Sequence, residues 1–542
     1  MNKNHFSNIK NKFVQNFSLS KLTTKRKEKI WSKSRVNNIA DNIRIEPLSF
    51  SQQQMWIIDQ MRPGNHAYNL PVGFQLKGDL IIEILEKSLN EIIKRHETLR
   101  TTFGLIDNQP KQLIHPECLI KIKTIDLSGY FNQEIEIQLN NSIREEVTTP
   151  FDLTELPLIR AKIFKLSEDE NIFLLNIHHI ITDGWSTAII FGELSKLYNN
   201  YLNGCTEKLP DLPIQYSDYV NWQLQKNWNP SYDEQLEYWK EQLDGELPNL
   251  ELLSYKQRPP VQSLNGSNEY FFLSKDLTQK IQSIGVKKGC SFFMTMLAVF
   301  QVFLNRYTGI NDIIIGTPVS NRPRKSDENL IGNFLNIVAL RNNLSDCPDF
   351  TSLLKHSQKI TLDALKNRDL PFEKIVEHLR IERDLSRNPV FQVMIQVLPK
   401  YSFELSNLTI SSFNFDLCYS QFDLSLHLYQ VEDGYNCRFE YDTDLFDSGF
   451  IRRMTSNFKK LSNEIISDPL KNLNEYSVIS EDEFKLLKSW NETDTLFPEE
   501  KCFYQLFEEQ AEKRYDYTAA KFSNDYLTYA ELNSRANKLA TT

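Results

Sequence analysis

One stretch of the chain, NIFLLNIHHIITDGWS at residues 171–186, restricts its fold and chemistry more than any other. The apolar-rich segment 172–177 predicts a buried strand. This strand ends in His178 and His179, and an apolar-periodic helix is predicted over 187–202. Neighbouring side chains on a strand face opposite sides, so only one histidine can point into a cleft while the other packs behind it. We interpret the stretch as a catalytic centre.

The bulk composition is that of a globular protein with several domains. The chain has 542 residues, 40% hydrophobic and 25% charged, with a net charge of −9. This length predicts two to four domains, and the acidic balance argues against nucleic acid as a partner. Seven scattered cysteines without a C-x-x-C pair favour a reducing compartment. The longest apolar run, residues 292–304, is too short to cross a bilayer and predicts a buried helix. We therefore expect a cytoplasmic protein without a membrane segment.

The first 35 residues differ from the rest in charge, with ten Lys or Arg against the single acid Glu28. One interpretation is a solvated leader, and the other is a docking segment within residues 1–45 for an acidic partner. Both interpretations stay open.

Strand and helix patterns alternate along two halves of similar size, which predicts a mixed α/β fold of two lobes sharing a cleft. The expected limits are 46–225 and 226–466 for the lobes, 467–500 for a linker and 501–542 for a further unit. Among the elements, we expect a first helix over 48–60 capped by Ser51, a strand over 119–125 and a buried helix over 292–307.

Around the two histidines, catalysis explains the residue types better than metal binding or simple packing. Two metal ligands would have to converge on one ion, and no third ligand lies nearby in the sequence. Asp183 and Gly184 make a tight turn into the helix, whose free backbone N–H groups can hold developing negative charge. A histidine beside such donors suits a general base or a proton organiser. The chain has no G-x-S-x-G elbow and no phosphate-binding G-x-x-x-x-G-K-[ST] loop, which favours direct transfer between two bound substrates.

The motif HHIITDGWS (178–186) resembles the HHxxxDG signature of condensation domains of nonribosomal peptide synthetases, in the chloramphenicol-acetyltransferase-like superfamily. Other stretches resemble further motifs of that family in the same order. They are SQQQMW (51–56), RHETLRTTF (95–103), YSDYVNW (216–222), IGNFLNIVALR (331–341), NRDLPFE (367–373) and RDLSRNPVFQV (383–393). The segment LTYAELNSRANKLA (527–540) is similar to the opening of an adenylation domain. Gln54 and Ile337 depart from the common Arg and Thr of the family.

This resemblance implies a V-shaped pair of lobes around a tunnel, in which an acceptor aminoacyl amine attacks a donor acyl or peptidyl thioester. Both substrates would arrive on phosphopantetheine arms of donor and acceptor carrier protein domains, and no cofactor would be bound by the domain itself. An adenylation domain in cis and an upstream synthetase subunit, through residues 1–45, would be further partners. The stretches PGNHAYNLP and DLSRNP suggest the subtype that joins two L-residues. The alternatives are an N-acylating starter domain and a non-catalytic docking scaffold.

The resemblance also gives roles to single residues. It implies that His179 is catalytic, as a base or as a positioning group, and that His178 and Asp183 hold the turn. Asp183 is expected to pair with Arg322, in GTPVSNR, or otherwise with Arg100. Gly184 would allow close approach of substrate or only satisfy the turn. Further expectations are a packing role for Trp185 and, for Asn336, a hydrogen bond near the tunnel or a strand-end cap.

Overall fold

The computed structural model describes residues 42–205, 207–226, 231–252, 256–379, 381, 384–398, 403–495 and 500–542. Two compact units make up the chain, the first reaching Val478 and the second covering Ile479–Thr542. The expectations for the basic leader fall almost entirely outside the described residues. None of the described helices is long and apolar enough to cross a membrane.

The first unit contains two large sheets and one small sheet. The small sheet has the order β1-β4-β3, with strands Arg44–Pro47 (β1), Thr101–Ile106 (β3) and Gln109–Ile114 (β4). One large sheet has the order β12-β2-β7-β6-β5. Its strands are Asn69–Gly78 (β2), Lys123–Asp126 (β5), Ile159–Lys165 (β6), Glu170–His178 (β7) and Leu408–Ser412 (β12).

The second large sheet has six strands in the order β10-β9-β11-β13-β14-β8. They are Gly266–Ser274 (β8), Asp312–Ser320 (β9), Leu335–Asn343 (β10), Val393–Leu398 (β11), Leu424–Val431 (β13) and Gly434–Asp442 (β14). Strand β11 runs parallel to β9 and β13, whereas the other neighbours in this sheet are antiparallel. The mixed α/β class predicted from the sequence is confirmed.

Helices cover these sheets. In the first unit they are Phe50–Met61, Ile82–Arg95, Asn132–Thr148, Gly184–Leu202, Tyr216–Lys226, Ser231–Gln242, Lys275–Val286, Phe292–Thr308, Phe350–Lys366, Phe372–Leu379 and Ser448–Ser467. The second unit has helices Glu481–Trp490, Phe503–Lys513 and Tyr529–Ala540, and a hairpin of Thr518–Phe522 (β15) and Asp525–Thr528 (β16).

The apolar run predicted to be a buried helix is confirmed as Phe292–Thr308, which is buried along most of its length. Ser291 caps its first turn by accepting a hydrogen bond from the Met294 N–H at 3.2 Å. Its polar residue Gln301 accepts hydrogen bonds from Asn342 and Ser357, so burying the carboxamide leaves this oxygen satisfied.

The cap of the first helix is Ser49 and not Ser51, so that prediction is wrong. The Ser49 side chain accepts a hydrogen bond from the backbone of Gln52, and the Gln52 side chain accepts one from the backbone of Ser49. This reciprocal pair satisfies two backbone donors at once and moves the helix start to Phe50.

The strand expected over 119–125 is confirmed only in its last part, because the paired strand is Lys123–Asp126. Before it, the backbone N–H groups of Ile120 and Ile122 donate to the side chains of Asn90 and Glu86. The side chains of Ile120 and Ile122 are buried, but the backbone here bonds to side chains of a helix instead of to a strand.

The stretch 467–500, expected to be a linker, is more ordered than its acidic composition indicates. Leu473 and Tyr476 are buried in the core of the second sheet, and Glu481–Trp490 forms a helix capped by Ser480. A prediction from composition misses such anchors because two apolar side chains are enough to fix a polar segment.

Candidate active site

The two adjacent histidines face different surroundings. His178 ends β7 and is buried, with its ring near those of Tyr68 and Phe151, and its Nδ1 accepts the Ile180 N–H at 3.1 Å. His179 begins a short 3-10 helix, and its backbone N–H donates to the Tyr68 carbonyl at 2.8 Å. Of the two rings, that of His179 lines the cavity described below.

Burial sets the charge of both rings. Burial, with smaller contributions from His179 and Arg160, lowers the pKa of His178 from 6.5 to about 3. Burial also lowers the pKa of His179, although Asp183 acts in the opposite direction. Near neutral pH both rings are therefore uncharged. The Nδ1 of His179 has no hydrogen-bond partner among the described residues.

Asp183 caps the helix Gly184–Leu202 and is fully buried. Its carboxylate accepts the backbone N–H of Ser186 at 2.7 Å and that of Phe334 at 3.0 Å. The Arg322 guanidinium donates to the same carboxylate, at 3.2 Å to Oδ1. Two backbone donors and a buried arginine hold this carboxylate, which fixes the turn after the histidines.

Arg322 links this turn to the second lobe. It also donates to Ser186 Oγ at 2.8 Å and to the carbonyls of Asp327 and Leu330, and it lies over the Phe334 ring at 3.7 Å. The structure thus pairs Asp183 with the first of its two expected partners. Arg100 lies elsewhere, beside Glu97 and the His115 carbonyl.

Gly184 is the first residue of the helix and does not have a left-handed backbone conformation. A side chain at this position would meet Leu398 Cδ2 at 3.2 Å and Gln396 Nε2 at 4.0 Å. Close packing against the Leu398 side chain of β11, and not a left-handed turn, is what favours glycine here.

Trp185 is 48% exposed, so it packs against the protein over only about half of its surface. Its position at the start of the helix directs the ring outward, and its indole N–H donates to the Glu328 carbonyl at 3.0 Å. Asn336 is not a simple strand-end cap. Its carboxamide donates to the carbonyls of Arg368 and Leu370 and accepts the Phe372 N–H, which fastens the segment before helix Phe372–Leu379.

A cavity of about 1060 Å³ extends between the two large sheets. Among the residues that line it are His179, Gly184, Asn336 and strand residues from β2, β11, β12, β13 and β14. Among the described residues no group of three His, Cys, Asp or Glu side chains is placed to hold a metal ion.

Sequence reasoning missed several polar residues of this cavity. Glu373 lies in the motif NRDLPFE but received no role, and burial raises its pKa from 4.5 to about 7. Sequence reasoning also missed His427, Arg438 and Glu440, which line the cavity from the second large sheet. Their alternation with apolar residues along β13 and β14 is the signal that indicates a polar sheet face.

The family model of the condensation domain matches residues 42–488, which is most of the chain. The chain belongs to the condensation-domain family. One component of the linear gramicidin synthase of Brevibacillus parabrevis is 39% identical over 499 residues, covering 91% of this chain and 10% of that protein. Surfactin synthase subunit 1 of Bacillus subtilis (strain 168) is 36% identical over 501 residues, covering 91% and 13%. The chain thus spans about a tenth of the length of these relatives.

Solved structures agree in fold. A four-domain nonribosomal peptide synthetase, holo-AB3403 bound to AMP and glycine, matches with a TM-score of 0.77 at 21% identity, covering 94% of this chain and 39% of that one. The first condensation domain of the calcium-dependent antibiotic synthetase matches with a TM-score of 0.70 at 18% identity, covering 81% and 100%. The resemblance predicted from the motifs is confirmed: this is a condensation domain of the nonribosomal peptide synthetase type, an amide-bond-forming acyltransferase.

The buried, uncharged His178 predicts that acid destabilises the fold. Between pH 6.5 and about 3 the unfolded chain binds a proton at this ring that the folded chain does not. The contribution of this ring to the free energy of unfolding is therefore fully present above pH 6.5. It is lost as the pH falls toward 3, at up to about 1.4 kcal/mol per pH unit. Urea unfolding of His178→Asn at pH 7 and pH 5 should show a flatter pH dependence than the unsubstituted protein. His356→Asn, an exposed histidine, is the control, and equal slopes for all three proteins would contradict the assignment.

Proposed function

We propose that this condensation domain transfers a donor acyl or peptidyl group to the α-amine of an acceptor aminoacyl group, both held as thioesters on carrier protein domains. The observation that carries the proposal is the position of His179. Its uncharged ring lies on the cavity wall at a turn fixed by the buried pair of Asp183 and Arg322.

In the proposed reaction the amine nitrogen attacks the thioester carbonyl carbon. The C–N bond forms, the C–S bond breaks, the phosphopantetheine thiol leaves on the donor carrier, and the amine loses one proton. An uncharged imidazole can accept a hydrogen bond from the amine, and it then either takes the proton or holds the nitrogen against the carbonyl. His178 packs behind this ring, and Asp183 with Arg322 orients the turn.

Carrier protein domains and an adenylation domain are the partners of this proposal, and phosphopantetheine arrives on the carriers. The second unit supports an adenylation segment in cis within residues 501–542. More than two thirds of the surface of each of Phe503, Tyr517 and Phe522 is exposed in this unit. Such exposed aromatic residues are expected of elements that pack against further structure. The lobe limits 46–225 and 226–466 and an upstream partner for residues 1–45 remain proposals, as does the L-to-L subtype. Strand β12 crosses these limits, because it joins the sheet of the first lobe.

The test supplies the domain with one carrier loaded with a donor and a second loaded with an aminoacyl acceptor. We expect the intact mass of the acceptor carrier to rise by the mass of the donor acyl group, at the rate at which the donor thiol is freed. A product formed only from an octanoyl donor would support the starter-domain alternative. Binding of both carriers without any mass transfer would leave a docking scaffold and overturn the proposal.

A further inference from the structure

One face of the second large sheet forms a wall of the cavity, and this face is polar. The strand register places Gln396 of β11 beside His427 of β13, His427 beside Arg438 of β14, and Arg438 beside Tyr270 of β8. All four side chains line the cavity. We call these four residues the polar row. The alternate residues of the same strands, such as Leu426 and Phe439, belong to the apolar core behind the sheet.

The polar row begins beside the candidate active site. Gln396 Nε2 lies 4.0 Å from the position that a side chain on Gly184 would take, next to the turn that carries His179. Neighbouring strands are about 4.8 Å apart, so Arg438, two strands further, lies on the order of 10 Å from Gln396. The polar row therefore leads away from the reacting centre across the cavity wall.

Several hydrogen-bonding groups in the polar row have no partner within the part of the chain that the structure describes. His427 is buried, and neither of its ring nitrogens makes a hydrogen bond there. Burial and the nearby Arg438 hold its pKa well below the usual range, so the ring is neutral, with one donor and one acceptor. The Nε–H of Arg438 has no partner either. Buried polar groups are nearly always paired, so a molecule in the cavity is expected to meet these.

The net charge of this region favours a neutral partner. The Arg438 guanidinium lies 3.4 Å from the Glu440 carboxylate and near the Tyr429 ring, so its charge is balanced within the wall. Glu440 lies 3.7 Å from the neutral ring of His427, beyond hydrogen-bond distance. The free groups therefore match an amide, whose carbonyl accepts from Arg438 or His427 and whose N–H donates to the imidazole.

We propose that the polar row is a subsite for the donor chain behind its reacting carbonyl, and that it selects donors with peptide groups over hydrocarbon chains. This inference rests on the proposed function. A span on the order of 10 Å corresponds to about three extended residues, whereas the main chain of an aminoacyl acceptor supplies one residue, about 3.6 Å. Of the two acyl groups, only a peptidyl donor is long enough to place its own main-chain amides along the whole row.

The facing wall supports the same substrate class. Its apolar side chains include Val72 and Phe74 of β2, Ile410 of β12 and Phe403. A saturated acyl chain would pack against the apolar side chains but leave His427 and Arg438 unpaired. We therefore expect it to be disfavoured about 10-fold or more relative to a peptidyl chain.

The test compares single-turnover rates for three donors on the same carrier: alanyl, tripeptidyl and octanoyl. The alanyl donor ends short of Arg438 and gives the reference rate. In His427→Leu and Arg438→Gln we expect the tripeptidyl-to-alanyl ratio to fall about 10-fold and the octanoyl-to-alanyl ratio to stay level or rise. Arg452→Gln, which removes an exposed arginine of the same lobe, should leave both ratios unchanged.

An unchanged tripeptidyl-to-alanyl ratio in both variants, or equal changes for tripeptidyl and octanoyl donors, would overturn the subsite. If Arg438→Gln fails to fold because Glu440 loses its partner, Arg438→Gln/Glu440→Gln restores neutrality. The affinity of an unreactive tripeptidyl-pantetheine amide then gives the same comparison, with about 10-fold weaker binding expected. Absence of any product from all three donors with the unsubstituted protein would instead overturn the proposed function.

Discussion

Replacing Arg322 by methionine is expected to lower the free energy of unfolding of the first unit by about 3–5 kcal/mol, because it leaves the Asp183 carboxylate buried without its cation. Neither side chain is more than 4% exposed, so water cannot replace the lost partner. Urea unfolding at pH 7 measures the change. The loss should exceed that of Asp183→Asn, since an amide oxygen can still accept from the Ser186 N–H, and Arg322 keeps the carbonyls of Asp327 and Leu330.

The double variant Asp183→Asn/Arg322→Met distinguishes the interaction energy between the two residues from their interactions with the rest of the protein. Because the two residues are in contact, their effects should not add, and the double variant should be more stable than the sum of the single losses implies. Lys280→Met is the matched control, because it breaks an exposed ion pair with Asp276 and should cost less than about 1 kcal/mol. Equal losses for Arg322→Met and Lys280→Met would contradict the structural role of the buried pair.

Replacing His179 by alanine is expected to slow amide formation by about 10²–10⁴-fold, which is the usual contribution of a positioned proton acceptor. The unfolding free energy should change little by comparison, since the ring makes no hydrogen bond through Nδ1 and is partly open to the cavity. Single-turnover transfer between two loaded carriers measures the rate. The exposed His356→Ala is the control, and a comparable loss in that variant would contradict the assignment.

His179→Gln distinguishes a base from a positioning group. Glutamine can accept a hydrogen bond from the amine but cannot take its proton. If the ring acts as a base, the rate of His179→Gln should be as low as that of His179→Ala. If it positions the amine, much of the rate should return, and the pH profile should follow the acceptor amine, whose ordinary pKa is about 8. In the first case the rate of the unsubstituted protein should also decline as acid protonates His179.

Short-range patterns predicted the parts of this fold that are set by short-range physics. The alternation of a strand separated the surroundings of His178 and His179, and an unbroken apolar run gave the helix Phe292–Thr308. The partner of Asp183 lies 139 residues away, and no periodicity connects the two. That pair was predicted from the family resemblance alone.

The rest depended on which strands become neighbours. Strand β12 joins β2 from more than 300 residues away, and only the sheet order reveals it. The polar row has the same origin. Polar residues on β11, β13 and β14 are visible in the sequence, but they become one surface only because these strands pair in that order and register. The partial exposure of Trp185 has a related origin, since the direction of a helix start is set by tertiary packing.

The most direct test of the account compares the two adjacent histidines in one assay. Single-turnover amide formation is measured at pH 8 with saturating loaded carriers for the unsubstituted protein, His179→Ala and His178→Asn, counting only folded protein. We expect the rate of amide formation to fall about 10²–10⁴-fold in His179→Ala, whereas His178→Asn loses stability and keeps its rate within about 10-fold once folded. Equal rate losses in the two variants, or an undiminished rate in His179→Ala, would contradict it.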